Sequence, residues 1–165
     1  MSELDQKNIF LTSEGNKWFR RNKGKIYKAE NSYVDFFLPF IKKKDKILEI
    51  GCSDGYNLNY ISKKLPKYDL SLYGIDPSED SIKHGNRVYK NIDLKIGTSD
   101  ELKFKNNFFD IVICGFCLYL VDRSLVFKTV SEIDKVLIEG GCIIIVDFDV
   151  PFPFSNDYEH YEGVK

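Results

Sequence analysis

A short apolar run, Ile47-Leu48-Glu49-Ile50, breaks into Gly51-Cys52-Ser53-Asp54-Gly55 and resumes as Tyr56-Asn57-Leu58. That pattern is a buried strand, a tight turn and the first turn of a helix. Glycine has no Cβ and accepts a positive φ, so such a turn lets a ligand come close to the backbone. Twenty-one residues beyond Gly55, a second apolar run ends in Tyr73-Gly74-Ile75-Asp76. An acidic residue at that point can accept hydrogen bonds from both hydroxyls of a ribose. The two features in this order imply a nucleoside-containing cofactor.

The rest of the chain continues the alternation. Strands are expected at 46–50, 70–75, 92–96, 109–114 and 142–148, with helices at 55–65, 78–90 and 122–139. Asp76 or Ser78 is the expected N-cap of the second of these helices, and the Gly140-Gly141 pair closes the third. Strands apolar on both faces and joined by helices form a parallel sheet covered on both sides. Right-handed crossovers make this an α/β, doubly wound, mostly parallel Rossmann-like fold with helices on both faces. Ahead of it, 14–22 and 32–43 read as helices, the second with Tyr33, Phe36, Phe37, Phe40 and Ile41 as an apolar stripe and a kink at Pro39. The organisation is a single domain: an N-terminal helical lid segment over 1–44, the core over 45–150 and an extended tail over 151–165. The tail contains Pro151-Phe152-Pro153-Phe154.

Composition narrows the function classes. A net charge of −1 creates no global field for nucleic acid or an anionic membrane. No apolar run is long enough to span a bilayer, and the first residues do not read as a signal peptide. The four cysteines lie in or beside strands and form no secreted disulfide framework, so a cytoplasmic setting is expected. Cys114-Gly115-Phe116-Cys117 follows a buried strand instead of opening a helix, and reads as small residues at a strand mouth. His84 and His160 have no spacing to complete a zinc site, so no metal is expected.

Ligands of an open parallel sheet bind at the carboxyl ends of its strands. There the chain places Glu49 to Gly55, Asp76, Gly97 to Asp100 and Cys114 to Phe116. A dinucleotide site would need Gly-x-Gly-x-x-Gly facing a pyrophosphate. Here Glu49 and Asp54 put negative charge near the turn, which suits a cofactor bearing an ammonium or sulfonium.

With these motifs in order, residues 46–148 resemble a class I S-adenosylmethionine-dependent methyltransferase. The resemblance rests on Leu48 to Gly55, Tyr73 to Ser78, Gly97 to Leu102, Phe109 to Cys114 and the Leu137-Ile138-Glu139-Gly140-Gly141 turn. It implies S-adenosylmethionine as cofactor. The loop Gly51, Cys52, Ser53 and Gly55 would run beneath the methionine part, with Glu49 fixing the loop. Asp76 would bind the ribose, Pro77 or Ser78 the adenine face, and Thr98 and Ser99 the adenine edge. Cys114 to Phe116 would line the methyl-donor side. A looser likeness to surface-sugar-cluster methyltransferases concerns Trp18-Phe19-Arg20-Arg21-Asn22: there Arg21 or Arg20 would pair with the cofactor carboxylate beside Trp18.

The chain departs from the family pattern in three ways. Ser53 replaces the loop's middle glycine, which requires an ordinary φ at that position. Thr98 replaces an acidic residue, which shifts adenine recognition to Asp100 or the backbone. The family's sixth and seventh strands have no counterpart in the about 17 residues after Phe148. Either the sequence is a shortened piece, or the fold is trimmed, or a partner covers the exposed edge.

The expected reaction is methyl transfer to a small polar acceptor, a sugar or nucleotide-sugar. Tyr119, Asp147 and His160 are the weak candidates for a general base. The alternative is a non-catalytic or truncated S-adenosylmethionine-binding module. The expected partner is a small-molecule acceptor, with neither nucleic acid nor membrane, and a homodimer is an assembly the chain allows.

Overall fold

A computed structural model describes residues 5–26, 33–149 and 158–160. Five strands form one sheet: β1 (Lys46–Ile50), β2 (Ser71–Asp76), β3 (Ile92–Ile96), β4 (Phe109–Gly115) and β5 (Leu137–Val146). Their order is β3-β2-β1-β4-β5, and every pairing is parallel. The chain reverses direction across the sheet between β1 and β4, so the crevice of a doubly wound fold opens above β1.

β1 is central and buried on both faces. Ile47 and Leu48 are fully buried and point to opposite sides, because successive strand side chains alternate. The Ile47 side joins Ile111 and Ile113 of β4 and is covered by Leu58 and Ile61 of α3 (Tyr56–Lys64) and Ile82 of α4 (Glu79–Val88). The Leu48 side joins Val112 and Cys114 and is covered by Ile133 and Val136 of α5 (Val126–Val136). Helices thus lie on both faces, as right-handed crossovers from a central strand require. Near β2, Tyr73, Phe104, Phe108 and Phe109 form an edge-to-face cluster with centroids 4.9–6.2 Å apart.

Three expected elements differ. The stretch 32–43 is not one helix: residues 27–32 lie outside the described residues, and Tyr33–Phe36 and Leu38–Phe40 are separate 3-10 turns. Pro39 lacks the N–H that would carry an α-helix through this stretch. Val34, Phe37 and Ile41 still pack on the sheet, whereas Phe36 and Phe40 face solvent. Secondly, the helix expected to end at 139 stops at Val136, and Gly140-Gly141 lies within β5. The register slips between Phe109 and Ile111, and Gly140 at φ +75° absorbs it. Thirdly, the N-terminal helix is longer than 14–22. It runs as α1 (Gln6–Ile9), a π-helical stretch Phe10–Glu14 and α2 (Gly15–Ile26). Among the described residues the sheet ends at β5, where Ile143 and Ile145 are exposed. The segment Pro151-Phe152-Pro153-Phe154 lies outside the described residues.

Candidate functional site

A cavity of about 520 Å³ opens at the carboxyl ends of the strands, beneath the N-terminal helix. Its floor is the turn after β1. Gly51 and Cys52 both donate backbone hydrogen bonds to the Ile75 carbonyl, at 2.9 and 3.0 Å, which ties this turn to the end of β2. Gly51 has φ +69°, and a Cβ there would lie 2.7 Å from Cys117 Cβ, so only glycine fits. Gly55, at φ +81°, begins α3 from the left-handed region. Ser53 also sits there, at φ +50°, contrary to the ordinary φ its side chain prefers. Its N–H compensates by donating to Asp76 Oδ2 at 2.8 Å.

Asp76 is held from both sides. Oδ1 accepts from Ser78 N at 2.8 Å and from the Ser81 hydroxyl at 3.4 Å. Ser78 is the N-cap of α4, accepting from Ser81 N with its own hydroxyl. Burial pushes the Asp76 carboxyl up to about 6, against the opposing pull of these hydrogen bonds. Asp76 and Pro77 both line the cavity. Asp54 turns away from it, into contact with His84 Nδ1 at 3.0 Å.

Glu49 is buried behind the floor and does not itself line the cavity. Its Oε1 accepts from Asn57 Nδ2 at 2.7 Å, and the same amide donates to the Tyr33 hydroxyl at 2.9 Å. Asn57 and Tyr33 do line the cavity. Glu49 Oε2 has no hydrogen-bond partner among the described residues, and burial pushes the carboxyl up to about 8.

Thr98, Ser99 and Asp100 line the wall after β3. The Ser99 hydroxyl is engaged with that of Thr129 at 2.9 Å. Asp100 is buried and pairs with Lys7 Nζ at 2.8 Å and Lys128 Nζ at 3.6 Å. Burial alone would raise its pKa, but the hydrogen bonds from Lys7 and Thr98 hold it below the ordinary value. Lys7 belongs to the roof. The start of that helix is anchored by Asp122, whose carboxylate oxygens accept from the Gln6 and Lys7 backbone N–H groups at 3.0 and 2.9 Å. Lys7, Tyr33 and Asp122 were not legible as site residues, because their partners lie far away along the chain; Asn57, eight residues from Glu49, lay within reach of the turn motif.

Several expected site residues stand elsewhere. Trp18 lines the cavity, but Arg21 does not. The Arg21 guanidinium pairs with Glu14 and lies 3.3 Å from the Tyr158 hydroxyl. Glu14 is fully buried, and without Arg21 its charge would be uncompensated. Arg20 pairs with Asp80 at 2.6 Å. Cys114 is fully buried under α5, and Gly115 to Cys117 line the cavity in its place. The Cys117 thiol contacts that of Cys114, donates to the Ile50 carbonyl at 3.3 Å and is pushed well above its ordinary pKa. All four cysteines are free, and no cluster among the described residues could hold a metal ion.

Of the candidate bases, Tyr119 lines the cavity, but burial and Asp147 raise its phenol pKa, so it stays protonated. Asp147 is outside the lining, and its carboxylate accepts from Phe148 N. His160 is exposed and rests edge-on against Tyr158, away from the cavity.

Comparison with known proteins agrees with this architecture. A family model described as "Methyltransferase domain" matches residues 47–141. A putative methyltransferase of Invertebrate iridescent virus 6 is 28% identical over 118 residues, which is 71% of this chain and 43% of that protein. A demethylmenaquinone methyltransferase of Symbiobacterium thermophilum is 32% identical over 114 residues, 66% of this chain and 44% of that protein. The chain therefore spans somewhat under half the length of these two relatives. Among solved structures, the plantazolicin methyltransferase BpumL superposes with a TM-score of 0.68 at 22% identity, over 88% of this chain and 58% of that one. No helix among the described residues is long and apolar enough to cross a membrane.

Proposed function

Because the chain belongs to the methyltransferase-domain family, of the class I S-adenosylmethionine-dependent type, we propose that its cavity binds S-adenosylmethionine and that the protein transfers the methyl group to a small-molecule acceptor. The observation that carries this reading is the Asp76 carboxylate. It stands at the cavity wall, with Ser53 N–H on one oxygen and Ser78 N–H on the other. Oδ2 keeps a lone pair for one ribose hydroxyl, and Oδ1 keeps one for the other when the Ser81 hydroxyl donates to the Ser78 carbonyl at 2.9 Å instead.

The other residues fit the same ligand. Gly51, where a Cβ would clash, and Cys52 form a floor for the methionine part. Asn57, oriented by buried Glu49, offers its amide near the place of an ammonium group, and the Glu49 carboxyl, pushed up to about 8 by burial, would ionise beside that cation. Thr98 and the Lys7-paired Asp100 flank the adenine edge. In this reading residues 5–26 form the lid, and Trp18 closes over the ligand.

When bound, the cofactor supplies a methyl carbon already activated on a sulfonium. The protein's task is then alignment and exclusion of water. The loop and Asp76 hold the donor end in place, and the helix pinned by Asp122 shields it from solvent. Calorimetric titration with S-adenosylmethionine and S-adenosylhomocysteine tests the reading. Binding that Asp76→Ala weakens at least ~tenfold supports it, and no heat with either ligand overturns it.

A further inference from the structure

Asp76 and the polar groups after β3 define one side of the cavity. The other side, at the ends of β4 and β5, is built from Phe116, Tyr119, Leu120, Leu125 and Phe148. Three aromatic rings there run in a row with Tyr33. Tyr33 and Phe116 centroids are 5.6 Å apart, and Phe116 to Phe148 and Phe148 to Tyr119 are each 5.2 Å, all edge-on. These rings are unusually open: Phe116, Tyr119 and Phe148 keep 39%, 46% and 64% of their surface accessible, all at one cavity mouth. Exposed aromatic surface gathered at one concave place marks a ligand site. Phe116 also sits at φ +51°, a conformation that L residues rarely adopt, and its N–H is held by the Val146 carbonyl at 2.7 Å. The fold maintains this strained backbone at the point where a ring enters the cavity wall.

We infer that this side takes a planar aromatic acceptor of the phenol class, seated among Phe116, Tyr119 and Phe148, and not a sugar; the inference rests on the methyltransferase reading above. A sugar presents many hydroxyls, each needing a partner once buried. On this wall the side-chain polar groups of the described residues are the Tyr119 hydroxyl, the Tyr33 hydroxyl, which accepts from Asn57 at 2.9 Å, the Cys117 thiol and Asp122. Cys117 donates to the Ile50 carbonyl, and both Asp122 oxygens accept backbone N–H groups. No imidazole is there, and the one carboxylate, Asp122, is held at the start of the roof helix by the Gln6 and Lys7 N–H groups, so no general base is dedicated to the acceptor. A phenol needs none, because its hydroxyl ionises at a pKa of about 10, as tyrosine does. Its proton passes to water. The phenolate oxygen, or the ring carbon ortho to it, then bonds to the methyl carbon. The carbon–sulfur bond breaks and its electron pair stays on sulfur. A ring carbon that has taken the methyl restores its aromaticity by losing its hydrogen as a proton to water. The Tyr119 hydroxyl remains a donor for the acceptor oxygen.

The test is calorimetry on the full chain. S-adenosylhomocysteine is titrated first, and the saturated protein is then titrated with 2-naphthol or with methyl α-D-glucopyranoside. The expected result is naphthol binding at least ~tenfold tighter than the glucoside. Phe148→Ala and Tyr119→Ala should each weaken naphthol binding several-fold with little change in S-adenosylhomocysteine affinity. Glucoside binding equal to or tighter than naphthol overturns the inference, as does naphthol affinity unchanged in both variants. In either case S-adenosylhomocysteine binding still stands, so the methyltransferase reading survives. Absence of S-adenosylhomocysteine binding removes both. Both substituted side chains are substantially solvent-exposed, and thermal denaturation of each variant confirms that it folds.

Discussion

The backbone N–H of Ser53 donates to Asp76 Oδ2 at 2.8 Å, joining the turn after β1 to the end of β2 across 23 residues. This bond holds a serine in the left-handed region and aims an acidic side chain at the cavity wall. Asp76→Asn keeps the shape but loses the charge-assisted contacts. Hydrogen bonds to charged groups are worth about 1.5–3 kcal/mol, so S-adenosylhomocysteine affinity should fall between about tenfold and a hundredfold. Calorimetry on this variant measures it, and unchanged affinity would place the ribose elsewhere.

Ser53→Gly should stabilise the protein. The substitution removes the strain of φ +50° and a buried hydroxyl with no partner among the described residues, while keeping the N–H that Asp76 needs. A gain of about 1 kcal/mol in urea unfolding is expected, with cofactor affinity retained. Loss of stability would mean that the serine hydroxyl contributes more than its backbone costs.

The raised carboxyls set the pH dependence. Glu49 sits at about 8 when folded, above its ordinary value of 4.5. Between those values the folded state keeps a proton that the unfolded chain has lost. Stability therefore falls as pH rises through this window, by up to about 1.4 kcal/mol per unit for one proton. Urea unfolding from pH 5 to 8 should show the decline, and Glu49→Gln should flatten it. Ligand affinity should behave differently. Asp76, at about 6, must be ionised to accept two ribose hydroxyls, so binding should weaken as pH drops below 6.

Trp18 is the chain's single tryptophan and lines the cavity. Its emission should shift or quench on titration with S-adenosylhomocysteine, with the same midpoint as the calorimetric curve. Binding seen by heat but silent in fluorescence would show that the N-terminal helix does not close over the ligand.

Arg21 is expected to act on stability, through Glu14. Arg21→Met alone should cost about 3–5 kcal/mol by leaving buried Glu14 unpaired. Adding Glu14→Gln should recover most of that loss, with S-adenosylhomocysteine affinity within several-fold of the parent. A loss of affinity beyond a hundredfold in the stable double variant would put Arg21 back on the cofactor carboxylate.

Sequence alone determined the parallel sheet and the location of its crevice. Near-continuous apolar runs such as Ile47 to Ile50 and Phe109 to Ile113 need both faces covered, and Gly51 and Asp76 stand at the ends of the first two strands. These are local properties, read from neighbours in the chain. Only the tertiary structure decided what the charged groups do. Arg21 faces Glu14, Lys7 neutralises Asp100 from 93 residues away, and Asp122 caps a helix 115 residues earlier. It likewise decided that Ser53 adopts a positive φ, because the turn must fit between Ile75 and Asp76, and that three open rings gather at the ends of β4 and β5. Strand and helix periodicity follow from short-range sterics and apolar burial. The pairing of charges and the shape of a cavity depend on which distant segments the fold brings within a few ångströms.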